Sequence, residues 1–352
     1  MESLLASNEV SDLTKAGIGG VVVGLLFGYC AVRSRFCLRS ACIEIWQFRP
    51  GQRTVVWLLA FAAALAGSQY LFVTDDLSAQ ELTQLSNPAS LSGAVFGGVI
   101  FGIGMTLARG CVSRMVILGA TGNVRAIVTG MIFAAVATAS FTGLLAPLRQ
   151  WIWELWVIPP SSLHLALFGP NGMGLGIGLA VLVLAVLFAV KIRAPILTSL
   201  AALVAGGAIA YAWHINAGLS RFAFDPMPIN SISFTRPSID MLTMGLTQTG
   251  IEPGFTIALV PGVFLGAVVA ALLQREFKVK VFDTESGTLR YIFGAVLMGL
   301  GGVLAGGCSV GAGVALTSIL SLTGFAALVS MIVGSGIVVL LEGRVEWAKR
   351  AG

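Results

Sequence analysis

Apolar residues fill this chain in long runs that short polar stretches separate. Many runs approach twenty residues, the length at which a helix spans about 30 Å of hydrocarbon. The run at 173–190 contains no polar side chain. The pattern predicts an all-α polytopic membrane protein with about nine transmembrane helices. The predicted spans are 17–32, 54–73, 92–108, 125–145, 173–190, 196–215, 254–273, 290–306 and 324–341.

Composition agrees with this class. Of the 352 residues, 57% are hydrophobic and 11% are charged, whereas a soluble domain carries about 25% charged residues. Residues 1–16 are polar and lack the basic start of a cleavable signal peptide. We therefore expect the first span to remain as a membrane helix.

The Lys and Arg residues predict the orientation of the chain. Of 21 such residues, 4 (Lys15, Arg149, Arg221 and Arg236) fall on one side of the predicted membrane and 17 on the other. Because the richer side is normally cytoplasmic, the N-terminus is predicted outside and the C-terminus inside a bacterial inner membrane. The net charge of +5 thus reflects topology and lipid contact, and no nucleic-acid partner is needed to explain it.

One segment of the chain occurs twice. "FGGVIFGIGMTLARGC" (96–111) and "FGAVLMGLGGVLAGGC" (293–308) match at nine of sixteen positions when offset by 197 residues. A central span between the two copies would invert the second half, and inverted repeats are typical of transporters. The repeated glycines indicate close helix packing. The predicted organisation is an N-terminal extracytoplasmic tail (1–16), a first half (17–145), a connector with the central span (146–195), an inverted second half (196–341) and a cytoplasmic C-terminal tail (342–352).

Three apolar segments are too short to span a membrane: 37–48, 112–120 and 309–320. We interpret them as re-entrant half-helices, which survive at membrane depth only when protein or a cavity surrounds them. In each case a cysteine stands at the start of the segment. Cys37, Cys111 and Cys308 are these residues.

The cysteine spacing restricts the chemistry. Disulfides are not expected at the cytoplasmic side, and no close Cys pair of the kind that holds zinc or an iron–sulfur cluster is present. With only His164 and His214 in the chain, we predict neither a metal nor another cofactor. Cys30 and Cys42 are interpreted as packing residues.

A Gly-Cys junction at the start of a half-helix suits an anion. Unpaired N–H groups at a helix N-terminus attract negative charge, and a thiol adds a weak donor and a polarizable sulfur. Weak sites in series let an ion pass on. The pattern therefore favours conduction of a soft anion that carries sulfur.

The motifs "RSRFCLRSA" (33–41), "GxGxxLARGC" ending at Cys111 and "GxGxxLAGGC" ending at Cys308 resemble those of the YeeE/YedE family of bacterial inner-membrane sulfur transporters. The resemblance runs from about residue 17 to 341. It implies an inverted-repeat bundle, thiosulfate uptake, and a relay through the thiols of Cys37, Cys111 and Cys308. It also implies a small cytoplasmic sulfur-carrier protein of the TusA type as a partner.

Several neighbours of the cysteines are candidate site residues. Arg35, Arg109 and Arg114 either mark the cytoplasmic side or form an electropositive exit. Ser113 and Ser309 either donate to oxyanion oxygens or cap half-helices. Gly110 and Gly307 are the glycines of the two Gly-Cys junctions and are candidate site residues as well. Where thiosulfate transporters of the family often read Cys-Thr-Ser-Gly-His, this chain has Val112-Ser113-Arg114 after Cys111, which leaves sulfite and other sulfur oxyanions open as ligands.

Three functions compete. The leading hypothesis is a permease, not an enzyme, for thiosulfate or a closely related sulfur-containing anion. The alternative is a membrane thiol enzyme that transfers sulfane sulfur or electrons through the same cysteines, which normally needs a resolving thiol. A scaffold or sensor for a cytoplasmic carrier is disfavoured, because it has no use for thiols at two inverted positions.

Overall fold

The structure is a computed structural model that describes residues 11–160, 173–222, 228–247, 254–277 and 287–351. Most of the predicted N-terminal tail and His164 lie outside these ranges. In chain order the helices within them are α1 (Asp12–Ser34), α2 (Leu38–Trp46), α3 (Gln52–Val73), α4 (Thr83–Ser86), α5 (Leu91–Leu107), α6 (Val112–Ala120), α7 (Val124–Phe141), α8 (Ala146–Glu154), α9 (Met173–Lys191), α10 (Ile196–Phe222), α11 (Thr235–Thr247), α12 (Phe255–Leu273), α13 (Thr288–Leu304) and α14 (Leu322–Ala351).

Two smaller elements complete the chain. A π-helical segment, Gly311–Leu316, lies between α13 and α14. Strands β1 (Ala89–Ser90) and β2 (Val157–Ile158) form a short antiparallel pair that ties the start of α5 to the end of α8. Apart from these strands, turns and connecting loops join the helices of the described ranges, as expected for a chain that must satisfy its backbone hydrogen bonds inside lipid.

The predicted fold class is confirmed. Eight stretches of the described chain are long and apolar enough to cross a membrane. The ninth predicted span is α13, whose 17 residues reach about 25 Å. The central span α9 exposes most of its apolar side chains, such as Leu184 at 63% and Val190 at 70%. A helix with this exposure faces lipid.

The two copies of the repeat pack against each other about a local two-fold axis. A Cβ added at Gly97 would lie 2.8 Å from the oxygen of Gly301, and one added at Gly294 would lie 2.8 Å from the oxygen of Gly104. The 197-residue offset relates Gly97 to Gly294 and Gly104 to Gly301, so the two contacts are equivalent under the repeat. As the numbers rise along α5 they fall along α13, so the two helices are antiparallel. The axis is therefore perpendicular to both helices, which is the relation that an inverted repeat requires.

Other contacts give the directions of neighbouring helices. Gly24 lies against Leu259 and Gly28 against Val263, so α1 and α12 run parallel. The same reasoning makes α3 parallel to α10 and α5 parallel to α14. Numbered in chain order, α1 and α12 are spans 1 and 7, α5 and α14 are spans 3 and 9, and α3 and α10 are spans 2 and 6. Each of these pairs is parallel, whereas α5 and α13, spans 3 and 8, are antiparallel. These directions agree with nine alternating crossings.

The α5–α13 contact depends on the absence of side chains. A Cβ at Gly301 would lie 2.5 Å from the backbone nitrogen of Phe101, so Gly301→Ala must force the helices apart. We expect a cost of about 1–3 kcal/mol and a lower thermal unfolding midpoint of the detergent-solubilised protein.

Gly207→Ala in α10 is the matched control, since no atom lies within 4 Å of its added Cβ. Its midpoint should stay at the wild-type value or rise slightly, because Ala favours helix over Gly. Equal losses in both variants would contradict the packing described here.

Candidate functional site

The three candidate cysteines share one backbone motif. Each follows, by two positions, a residue in the left-handed region: Arg35 at φ 56°, Arg109 at φ 56° and Gly306 at φ 75°. The residue between donates its N–H five positions back, which ends the preceding helix in a Schellman-type turn. These bonds run from Phe36 to Ala31 at 3.1 Å, from Gly110 to Met105 at 3.0 Å and from Gly307 to Gly302 at 2.9 Å.

A short helical segment begins after each turn, as the sequence predicts. Cys37 is the N-cap of α2 and Cys111 is the N-cap of α6, and neither helix has a side-chain cap. The third segment differs from expectation because it is a π-helix. There Cys308 Sγ accepts the backbone N–H of Gly311 at 3.5 Å. Single π-turns are rare and frequently mark functional sites.

The chain fold brings thiols and hydroxyls from both halves together. All five cysteines are free and buried. The thiol of Cys37 lies beside that of Cys111, and Cys111 Sγ is 3.2 Å from Ser113 Oγ. Ser309, which follows Cys308, places its hydroxyl next to Cys111 from the second half. Its Oγ is buried without a hydrogen bond of ordinary geometry, so it remains available as a donor.

The other two cysteines are not members of the thiol pair. Cys30 is buried within α1. Cys42 lies beside Ser335 of α14 and interacts electrostatically with Cys37. Throughout the described ranges, no three His, Cys, Asp or Glu side chains gather in a group able to hold a metal ion.

Gly110 and Gly307 provide space in the site. A Cβ at Gly110 would lie 3.3 Å from Arg114 Cγ, and one at Gly307 would lie 2.8 Å from the backbone nitrogen of Ala312. Any larger residue at Gly307 would displace the turn that carries Cys308.

Arg35 and Arg109, two of the three arginines expected at the site, already have partners. Arg35 Nη2 bonds to Glu276 Oε1 at 3.0 Å, with 58% and 42% of the two side chains exposed. Arg109 places its guanidinium 6.0 Å from the ring centroid of Tyr291.

Two other arginines lie nearer the thiols. Arg114 and Arg39 both act electrostatically on Cys37. The charges of Arg109 and Arg290 also act on Arg39. The buried Nε of Arg39 has no hydrogen-bond partner. Positive charge therefore accumulates beside Cys37. In the sequence, the signal for Arg39 is its position two residues after Cys37.

A hydroxyl on the second half was also missed. Thr235, the first residue of α11, is 5% exposed, and its Oγ1 has no hydrogen-bond partner. It lies against Gly302 of α13, near the turn that leads to Cys308. Its motif resembles none of the cysteine motifs, so the repeat did not reveal it.

The fold and the site together define a class. Broken helices that carry thiols meet inside an antiparallel, two-fold-related helical bundle, and this is the architecture of a membrane transporter. The protein is a multi-pass membrane protein of that class.

Comparison with known proteins narrows the class to a family. Residues 33–337 match the family described as Sulphur transport. The chain is 27% identical to the thiosulfate transporter TsuA of Escherichia coli, over 90% of this chain and 92% of that protein. It is 29% identical to the TsuA of Spirochaeta thermophila, over 83% and 88% of the two chains. The chain belongs to this family of sulfur transporters, the YeeE/YedE family.

The turn before Cys308 supplies a prediction about stability. Gly306 has φ 75° and open space where a Cβ would stand, so only backbone conformation opposes a substitution. Gly306→Ala should cost about 1–2 kcal/mol and lower the thermal unfolding midpoint in detergent. Gly306→Asn should lose less, because Asn tolerates this region better. An Ala variant as stable as wild type would contradict the turn geometry.

Proposed function

We propose that this protein imports thiosulfate, or a closely related sulfur-containing anion, across the bacterial inner membrane by passing it along cysteine thiols. The contact between Cys37 and Cys111, with Ser309 reaching in from the other half, is the observation that carries the proposal. The printed names of the two relatives support thiosulfate as the ligand.

The site chemistry suits a soft divalent anion. The uncapped N-termini of α2 and α6 offer backbone N–H donors and a partial positive charge. Each thiol donates weakly and accepts through a polarizable sulfur. The hydroxyls of Ser113 and Ser309 donate hydrogen bonds to the oxygen atoms of the anion. Because each contact is weak, the ion moves from one to the next instead of staying bound.

The halves of the path differ in charge. Arg35, Arg39, Arg109 and Arg114 belong to the side that the positive-inside rule assigns to the cytoplasm, so the anion travels toward positively charged side chains. On the opposite side, Arg221 bonds to Glu81 at 3.5 Å and Arg236 to Asp240 at 2.8 Å. Each of these two outer arginines is therefore paired with a carboxylate. A small carrier protein of the TusA type is the proposed cytoplasmic acceptor.

The adjacency of Cys37 and Cys111 also favours a second candidate function. Two neighbouring thiols meet the need of a membrane thiol enzyme for a resolving partner. In such an enzyme a cysteine thiolate would attack the outer, sulfane sulfur of thiosulfate, break the S–S bond, release sulfite on the entry side and keep the sulfur as a persulfide. Only that sulfur would then cross the membrane, whereas a permease delivers the whole ion.

Uptake by proteoliposomes tests the relay. Cys37→Ser, Cys111→Ser and Cys308→Ser should each lower thiosulfate uptake by roughly tenfold or more, because a hydroxyl lacks the polarizable sulfur and binds oxygen atoms more strongly. Cys30→Ser, a buried thiol away from the site, is the control and should match wild type. Wild-type uptake by all four variants would refute the relay.

The same vesicles separate the two candidate functions. Thiosulfate labelled with ³⁵S at either the outer or the inner sulfur is supplied in parallel. A permease accumulates both labels equally. Excess accumulation of the outer label would instead identify sulfur transfer.

A further inference from the structure

A cavity of about 170 Å³ has Arg114 in its wall, and the charge of this arginine acts on Cys37. This volume far exceeds the ~10–15 Å³ that a single water requires, so a small polyatomic anion fits inside it. The lining residues are Val32, Arg35, Arg114, Ile117, Leu118, Thr121, Asn123 and Glu276. The cavity thus lies between the end of α1, helix α6 and the segment that follows α12.

Arg114 supplies a charge that the protein does not neutralise. It is half-buried in the third position of α6, and no carboxylate of the described chain lies within 4.0 Å of its guanidinium. Its charge acts on Cys37, so the guanidinium is near the thiols as well as in the cavity wall. A partly desolvated cation without a partner is costly, and an anion in the cavity would remove that cost.

The remaining wall has two kinds of surface. Val32, Ile117 and Leu118 are apolar, whereas Thr121 and Asn123 are polar. Asn123 lines the cavity and uses its Oδ1 to cap α7, so this cap leaves the amide N–H groups of its side chain as donors. Such a wall matches an anion with a soft sulfur end and an oxygen-bearing end better than it matches a uniformly hydrated anion such as sulfate.

Arg35 and Glu276, which form an ion pair, both line this cavity. Because both side chains are substantially exposed, the pair contributes little stability and opens readily. Among the described residues that line the cavity, Glu276 supplies the carboxylate, and its charge opposes the binding of an anion there.

The repeat makes this cavity specific to one half of the protein. The 197-residue offset that superimposes Cys111 on Cys308 places Gly311 opposite Arg114. The second half therefore has no cation at the equivalent position. At these two equivalent positions, the first half therefore carries a positive charge and the second half carries none.

We propose that this cavity is the binding site in which the sulfur oxyanion rests after it leaves the thiols, and that Arg114 is the residue that binds its oxygen atoms. Asn123 assists Arg114, the apolar wall receives the sulfur end, and the Arg35–Glu276 pair covers the ion until release. This inference rests on the proposed function and deepens it.

The test is the concentration dependence of ³⁵S-thiosulfate uptake by proteoliposomes. Arg114→Gln should raise KM by roughly tenfold or more, the size expected when a charge-assisted hydrogen bond is lost. Arg114→Lys should restore part of the loss, because it keeps the charge. Glu276→Gln should lower KM, since it removes the opposing carboxylate. Arg193→Gln is the matched control: it removes one exposed arginine of the same face and should keep the wild-type KM.

Each contrary result has a distinct meaning. If wild type imports thiosulfate and Arg114→Gln has the wild-type KM, the site is wrong while the proposed function stands. If wild type imports none, the proposed function fails and this site loses its ligand with it. Vesicles of phosphatidylcholine alone and with phosphatidylglycerol are compared. A KM effect that occurs only with phosphatidylglycerol would assign Arg114 to lipid headgroups and overturn the proposal.

Discussion

The close contact between α5 and α13 is the constraint on which the rest of the site depends. These helices approach through glycines, and both end in the turns that carry Cys111 and Cys308. Without the glycines the helices would move apart, and Ser309 would no longer reach Cys111 across the boundary between the halves. Membrane helices gain little from burial against one another, so close backbone packing of this kind has to hold them together.

The arrangement is symmetric in its backbone and asymmetric in its chemistry. The same helix ending precedes Cys111 and Cys308, yet Arg109 stands in the left-handed position of one turn and Gly306 in the other. The first half adds Cys37 and Arg114, whereas the second half adds the unpartnered hydroxyl of Thr235. On the proposed path, an anion would meet weak neutral donors on one side and guanidinium groups on the other. This difference in charge would distinguish the two directions of transport, which the two-fold backbone alone does not.

Much of the fold was predictable because a membrane imposes simple rules. Span length and the 197-residue repeat identified the helices, and cysteine position identified where the short segments begin. The π-helix after Cys308 was not predictable, because its apolar sequence is compatible with an α-helix as well. Nor could the sequence show that Arg35 pairs with Glu276, 241 residues away, or that Arg114 faces a cavity. Such facts depend on tertiary contacts between distant segments.

The most direct test of the account is anomalous diffraction from crystals soaked in selenosulfate, in which selenium replaces the outer sulfur of thiosulfate. The account predicts selenium peaks in contact with the Cys37–Cys111 pair and against the apolar wall of the Arg114 cavity. Selenium found only at exposed arginines on the surface, with none at the thiols, would contradict it.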